Sequence, residues 1–178
     1  MRTVDFEYRG QVLHLCLNGA ALFAIRDEYG SETPIFDLIA GDGSEAFQRM
    51  CRILHILCEQ GELVERYLGQ EPQEVPTERY LATTMMPSDL PAVREAMARA
   101  VAAGFRREVP EDKPKRRDLG LEELQKKNGM RRPVWLQVGT QVLGLSPREA
   151  LLLTPGTRLD LLTLERKRRG WGDQEEDA

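Results

Sequence analysis

Cys51, His55 and Cys58 are the one group whose residue types suit metal binding or thiol chemistry. Their i, i+4, i+7 spacing places all three along one side of a helix. That geometry speaks against a shared ion. At a rise of 1.5 Å per residue, Cys51 and Cys58 lie roughly 10.5 Å apart along the axis, whereas zinc-bound thiolates sit about 2.3 Å from the metal. The same separation forbids a disulfide between them. Free cysteine commonly packs as a small hydrophobe, so the expectation is three unpaired thiols, Cys16 included, and no bound metal.

His14, the other histidine, falls in a strand-like stretch, and no G-x-S-x-G nucleophile elbow accompanies it. A Walker loop, G-x-G-x-x-G and H-E-x-x-H are absent from the sequence. The acid pairs Asp27-Glu28 and Glu122-Glu123 read as solvated helix faces. No cofactor is implied, and the expectation is a non-enzymatic protein.

The elements that carry these residues follow from periodicity. Val4 to Tyr8 alternates apolar and polar residues, Arg9-Gly10 makes a turn, and Leu13, Leu15 and Leu17 share one face. That pattern predicts an antiparallel hairpin. Asn18 caps a helix over residues 20–29, which Gly30 closes in the left-handed conformation. Thr33-Pro34 marks another helix start. Ser44 caps the strongest helix, whose stripe of Phe47, Met50, Leu54 and Leu57 is to be buried. Gly61 is expected to end it, with a short helical piece over Leu63 to Leu68. A loop spans residues 70–76, and Ser88 opens a helix bearing Leu90, Val93, Met97 and Val101 on one side.

Residues 107–118 are charged, hold two prolines and lack periodicity, as a linker does. The whole is expected to be α+β and mainly α, with the N-terminal antiparallel β-hairpin packed on amphipathic helices. The expected divisions are a hairpin-plus-helices core domain (1–106), a charged linker with a short helix at 121–127 (107–132), a C-terminal three-helix module (133–169) and a disordered acidic tail (170–178).

The net charge of −4 lacks the basic footprint of a dedicated nucleic-acid binder. The basic runs 113–117 and 166–169 have acidic neighbours that partly offset them. No apolar run reaches the roughly 18 residues that span a bilayer, and the first ten residues lack a signal-peptide core. The expectation is a cytoplasmic protein with reduced thiols and no membrane partner.

Leu143 to Leu162 holds two helix starts in close succession. Ser146-Pro147-Arg148-Glu149 is a capping box with proline at the first helical position, and Thr154-Pro155 repeats the signal. Three short helices follow, over 134–143, 147–153 and 155–168. The first two resemble a helix-turn-helix, but a reader helix needs several polar side chains at base edges. Ala150 to Leu153 instead covers the second helix in apolar residues, which favours protein docking. Trp135, Leu145, Leu151, Leu152 and Leu161 exceed what three short helices bury among themselves, so they are the candidate partner-binding residues.

The run Leu143-Gly144-Leu145-Ser146-Pro147-x-Glu149, followed by Leu153-Thr154-Pro155-Gly156 and a leucine-rich helix, resembles the C-terminal segment of tail assembly chaperones of long-tailed bacteriophages and prophages. Leu13-x-Leu15-x-Leu17-Asn18, the helix ending Glu28-Tyr29-Gly30 and the long helix near Gly61 resemble the chaperone core. The likeness covers about residues 6–68 and 135–164, and departs at Ala150-Leu151, where the family often has an aromatic residue after the glutamate. It implies a non-enzymatic phage protein that coats the tape measure protein and helps recruit tail-tube subunits. Self-association of the N-terminal half is also expected. A helix-turn-helix DNA-binding regulator and a structural phage tail or head-completion protein are the alternatives.

Overall fold

A computed structural model describes residues 2–30, 33–110 and 131–169. Strands β1 (Val4–Tyr8) and β2 (Gln11–Leu15) pair antiparallel, with Val4 opposite Leu15 and Tyr8 opposite Gln11. Arg9 and Gly10 both have positive φ, 53° and 78°. Such a pair of dihedrals fits the twist of a tight two-residue hairpin. Arg9 is held there by hydrogen bonds from its guanidinium to the Thr84 carbonyl and the Asp89 carboxylate.

Helix α1 (Gly19–Tyr29) starts at Asn18, whose side-chain oxygen accepts from the Ala21 amide at 2.9 Å. Gly30 has φ 87° but ψ 155°, so it releases the chain in an extended direction and not in the expected left-handed turn. Helix α2 (Ile35–Ala40) follows Pro34. Helix α3 (Ser44–Tyr67) is 24 residues long and starts one residue beyond Gly43, so Ser44 is its first residue and not its cap.

The expected break at Gly61 does not occur. The helix runs through it because the glycine serves a contact: a Cβ there would lie 1.8 Å from the His14 carbonyl oxygen. Only hydrogen lets the helix approach the strand so closely. Helix α4 (Glu78–Thr84), which periodicity did not reveal, is capped by the Thr77 side chain accepting from the Tyr80 amide. A 3₁₀ turn over Pro87–Asp89 leads into α5 (Leu90–Phe105).

The C-terminal part comprises α6 (Arg132–Gln137), a π-helical turn over Val138–Val142, α7 (Pro147–Leu152) and α8 (Pro155–Arg169). The capping box is formed: the Ser146 amide donates to Glu149 at 2.9 Å and the Glu149 amide to Ser146 Oγ at 3.2 Å. Most of the expected linker, its short helix and the acidic tail lie outside the described residues.

The fold is α+β and mainly α, with the hairpin laid on α3 and α5. The C-terminal helices share the N-terminal core. Trp135 and Leu153 belong to the same buried cluster as Leu15, Leu22, Leu54 and Met97. The Trp135 indole is 0% exposed and stands edge-on to Phe23, with ring centroids 5.5 Å apart. It lies where a Cβ on Gly19 would come within 2.8 Å of the ring. Backbone bonds complete the joint, with the Gly19 amide donating to the Leu153 carbonyl at 2.9 Å.

The buried Asp160 carboxylate on α8 accepts from the Glu108 and Val109 amides and from Arg107, tying α8 to the chain leaving α5. Burial pushes its pKa up, but these hydrogen bonds outweigh that and hold it below the ordinary carboxylate value. Because Trp135 joins both parts, Trp135→Ala is expected to cost about 3–5 kcal/mol. Urea unfolding should show one transition at a lower midpoint, detected equally by helix content and by the near-ultraviolet circular dichroism of buried aromatic residues such as Tyr8. Two separate transitions would contradict a shared core.

Candidate functional site

The five candidate partner-binding residues divide once placed in the structure. Trp135 and Leu152 are buried, while Leu145, Leu151 and Leu161 are half-buried against the main core. Leu152 packs with Cys16 and Val64. The apolar surplus that suggested an external partner is therefore largely taken up by α1, α3 and α5 of the same chain. Periodicity marks such residues as needing cover without showing whose surface supplies it.

Trp135 is further fixed by its indole N–H, which donates to the Ala150 carbonyl at 2.7 Å. Arg158 stacks over its ring at 4.6 Å to the centroid. Burial lowers the Arg158 pKa to about 10, so the guanidinium stays charged at neutral pH. Its Nε has no hydrogen-bond partner. The ring face offers electrostatic compensation to this desolvated cation.

Helix α7, the counterpart of a reader helix, lies with Ala150 and Leu152 buried and Leu151 half-covered. Glu149 accepts a hydrogen bond from the Tyr67 hydroxyl at 3.0 Å. Arg148 is the only basic side chain on this helix and is exposed. One cation on a six-residue helix is a poor match to base-edge reading. At the end of α8, Arg168 and Arg169 both bond to Glu165, whose carboxyl these hydrogen bonds draw down to about 2.

The Cys51, His55 and Cys58 group remains spread along α3. Among the described residues, no set of three or more His, Cys, Asp or Glu side chains is arranged to hold a metal. His55 Nδ1 bonds to the Pro76 carbonyl at 2.9 Å, anchoring the loop before α4. The three cysteines are buried and unpaired. Burial pushes Cys16 and Cys58 up to about 12 and Cys51 to about 11.

An open apolar depression on the surface is a feature that periodicity alone did not disclose. Helices α1, α2 and α5 leave a groove of about 310 Å³. Leu22, Ile35 and Val101 form its buried floor, while Phe36 and Phe105 flank it at 47% and 39% exposure. Arg26, Thr33 and Pro34 complete the lining. Phe36 sits beside Ile35 at the start of α2, where one of two adjacent apolar residues must face outward on so short a helix. Phe105 ends α5 four residues beyond Val101 and so shares its face. Adjacent Ile35-Phe36 was a signal in the sequence, but the third wall comes from α5, about 65 residues away.

No helix among the described residues is long and apolar enough to cross a membrane. No family model matches the chain, and no curated protein or solved structure is similar to it.

The thiol environment generates a pH dependence with a defined sign. The folded state holds the thiols protonated, whereas the unfolded chain ionises them near their ordinary value of 9.0. Their contribution is complete below about pH 9 and is lost as pH rises towards about 11–12. The urea midpoint should fall between about pH 8 and about pH 10.5, and fall less in Cys58→Ala. An equal fall in that variant would show that Cys58 is not the source. Thiol reagents should label all three cysteines only on unfolding.

Proposed function

We propose that the chain is a tail assembly chaperone of a long-tailed bacteriophage or prophage. In this reading it is a non-enzymatic, cytoplasmic protein that binds the tape measure protein and helps recruit tail-tube subunits. The observation that carries the reading is the apolar groove between α1, α2 and α5, with Phe36 and Phe105 presented on its flanks. Helical clients are bound in this way, through apolar side chains at i, i+3/i+4 and i+7 seated in a hydrophobic groove. The tape measure protein is long and aggregation-prone, and a chaperone for it needs such a surface more than a catalytic cleft.

The groove also changes how the reading is tested. Truncation after Arg107 would remove Trp135 and Leu153 from the shared core, so it reports on folding before it reports on partners. Substitutions on exposed positions are cleaner. Coexpression with a tape measure protein should keep that protein soluble and allow the two to copurify. Phe36→Asp with Phe105→Asp should keep the helix content of the parent, at a stability cost of about 1–3 kcal/mol because each ring is about half-buried. Loss of two aromatic anchors should weaken copurification by at least about tenfold, as removal of a binding hot spot does. If the parent chain neither solubilises nor retains the tape measure protein, the chaperone reading fails. If the double variant performs like the parent, the groove is not the client site.

The poor match of α7 to base reading and the pairing of the α8 arginines with Glu165 lead to an expectation about DNA. Duplex binding at about 150 mM salt should be weak and independent of sequence, because contacts to phosphate alone are suppressed by counterion competition. Nanomolar, sequence-dependent affinity in a fluorescence anisotropy titration would favour the regulator.

A further inference from the structure

The two edges of the hairpin differ. Pairing across a two-residue turn makes Tyr8 and Gln11 a hydrogen-bonded pair, and the alternation that follows assigns each remaining residue. Phe6 and Val4 turn their backbone groups towards β2. Asp5 and Glu7 turn theirs away from it. On the other strand, Val12 and His14 point outward, and the His14 carbonyl meets α3 at Gly61. Just beyond β2, the Cys16 amide donates to the Leu57 carbonyl at 3.0 Å. The β2 edge is thus covered by α3.

Helix α5 packs against β1, but it makes no backbone bond to the outer edge of that strand. Among the described residues, no hydrogen bond from outside the hairpin reaches the backbone groups of Asp5 or Glu7. Burial differs along the strand: Leu13 and Leu15 on β2 are buried, and on the same face of β1 Tyr8 is buried beside the turn while Val4 and Phe6 are only half-buried. On the opposite face Asp5 and Glu7 are exposed. Two copies pairing antiparallel about Phe6 would set Asp5 against Glu7 of the second copy, and like charges directly opposite each other destabilise a sheet.

We propose that β1 accepts a third strand from a partner protein, an extended segment in which apolar residues alternate with lysine or arginine. The partner's backbone would bond to the outward groups of Asp5 and Glu7, its apolar side chains would cover Val4 and Phe6, and its cations would lie beside the two carboxylates. This is strand addition to an open sheet edge, in which main-chain bonds supply affinity and alternate side chains supply selectivity. The site is separate from the groove and does not depend on the chaperone reading.

The test uses the full chain and three capped peptides: alternating valine and lysine, alternating valine and glutamate, and the valine–lysine peptide with a central proline. Amide hydrogen exchange is followed by NMR at Asp5 and Glu7, with Phe6 as the internal control. In the free protein, Asp5 and Glu7 should exchange faster than Phe6. The valine–lysine peptide should slow both severalfold, and the other two peptides should not. In Asp5→Lys with Glu7→Lys, the preference should pass to the valine–glutamate peptide. Amides already protected in the free protein, no slowing with valine–lysine, or equal slowing with the proline peptide would overturn the proposal. Equal protection by the lysine and glutamate peptides would overturn its charge assignment. Should the double variant fail to fold, the proline comparison on the parent chain decides.

Discussion

The seating of Trp135 against Gly19 is the contact on which the arrangement of the whole chain depends. A side chain at position 19 would occupy the space of the indole, and without the indole the start of α1 would face a void. The ring is held on three sides, by the edge of Phe23, the carbonyl of Ala150 and the guanidinium of Arg158. Each of these partners comes from a different element. Through one side chain, α1, α6, α7 and α8 are therefore fixed relative to one another, and the C-terminal helices become part of the core. Arg158 is the cost of that arrangement. A buried cation with an unbonded Nε is tolerated because the ring face supplies the attraction that water would have supplied.

Glycine explains where sequence reading and structure diverge. Gly61 has the features of a helix stop, since it follows a long amphipathic run and glycine is a poor helix former. In the folded chain it is a point of close approach, and the cost in helix propensity is offset by the packing of α3 on β2. Gly156 plays the same part at the start of α8, where a Cβ would lie 2.0 Å from the Arg106 carbonyl oxygen. Both roles are set by a neighbour far along the chain. Local signals with local causes were legible: the capping box at Ser146 and Glu149, the Asn18 cap, the hairpin and the α3 stripe at Met50, Leu54 and Leu57, with Phe47 only half-buried, all follow from residues within a few positions of one another.

The candidate site was legible only in part, for the same reason. An amphipathic stripe states that a residue needs cover, and Trp135, Leu151 and Leu152 do; the chain supplies most of that cover itself. The groove required the opposite inference, that particular apolar residues would be left over. Phe36 and Phe105 are unremarkable in periodicity and become a pair only when α2 meets α5 beside α1. Surplus apolar surface is a property of the assembled fold, because it is the difference between what each helix offers and what its neighbours take.

Charge distributes the possible partners over the surface in a way that net charge alone conceals. The C-terminal basic run, the most nucleic-acid-like feature of the sequence, is partly spent on Glu165, and Arg169 also donates to the Val142 carbonyl. Arg107 and Arg132 are likewise engaged, with Asp160 and Asp27. Among the described residues, Arg107, Arg132 and Arg169 thus act as fasteners between elements of one chain. The acids Asp5 and Glu7 stand on the open strand, with only Asp5 paired, to His14. An edge so charged resists its own copy yet keeps its backbone donors and acceptors available, so the carboxylates that protect the edge from self-association also select what can add to it.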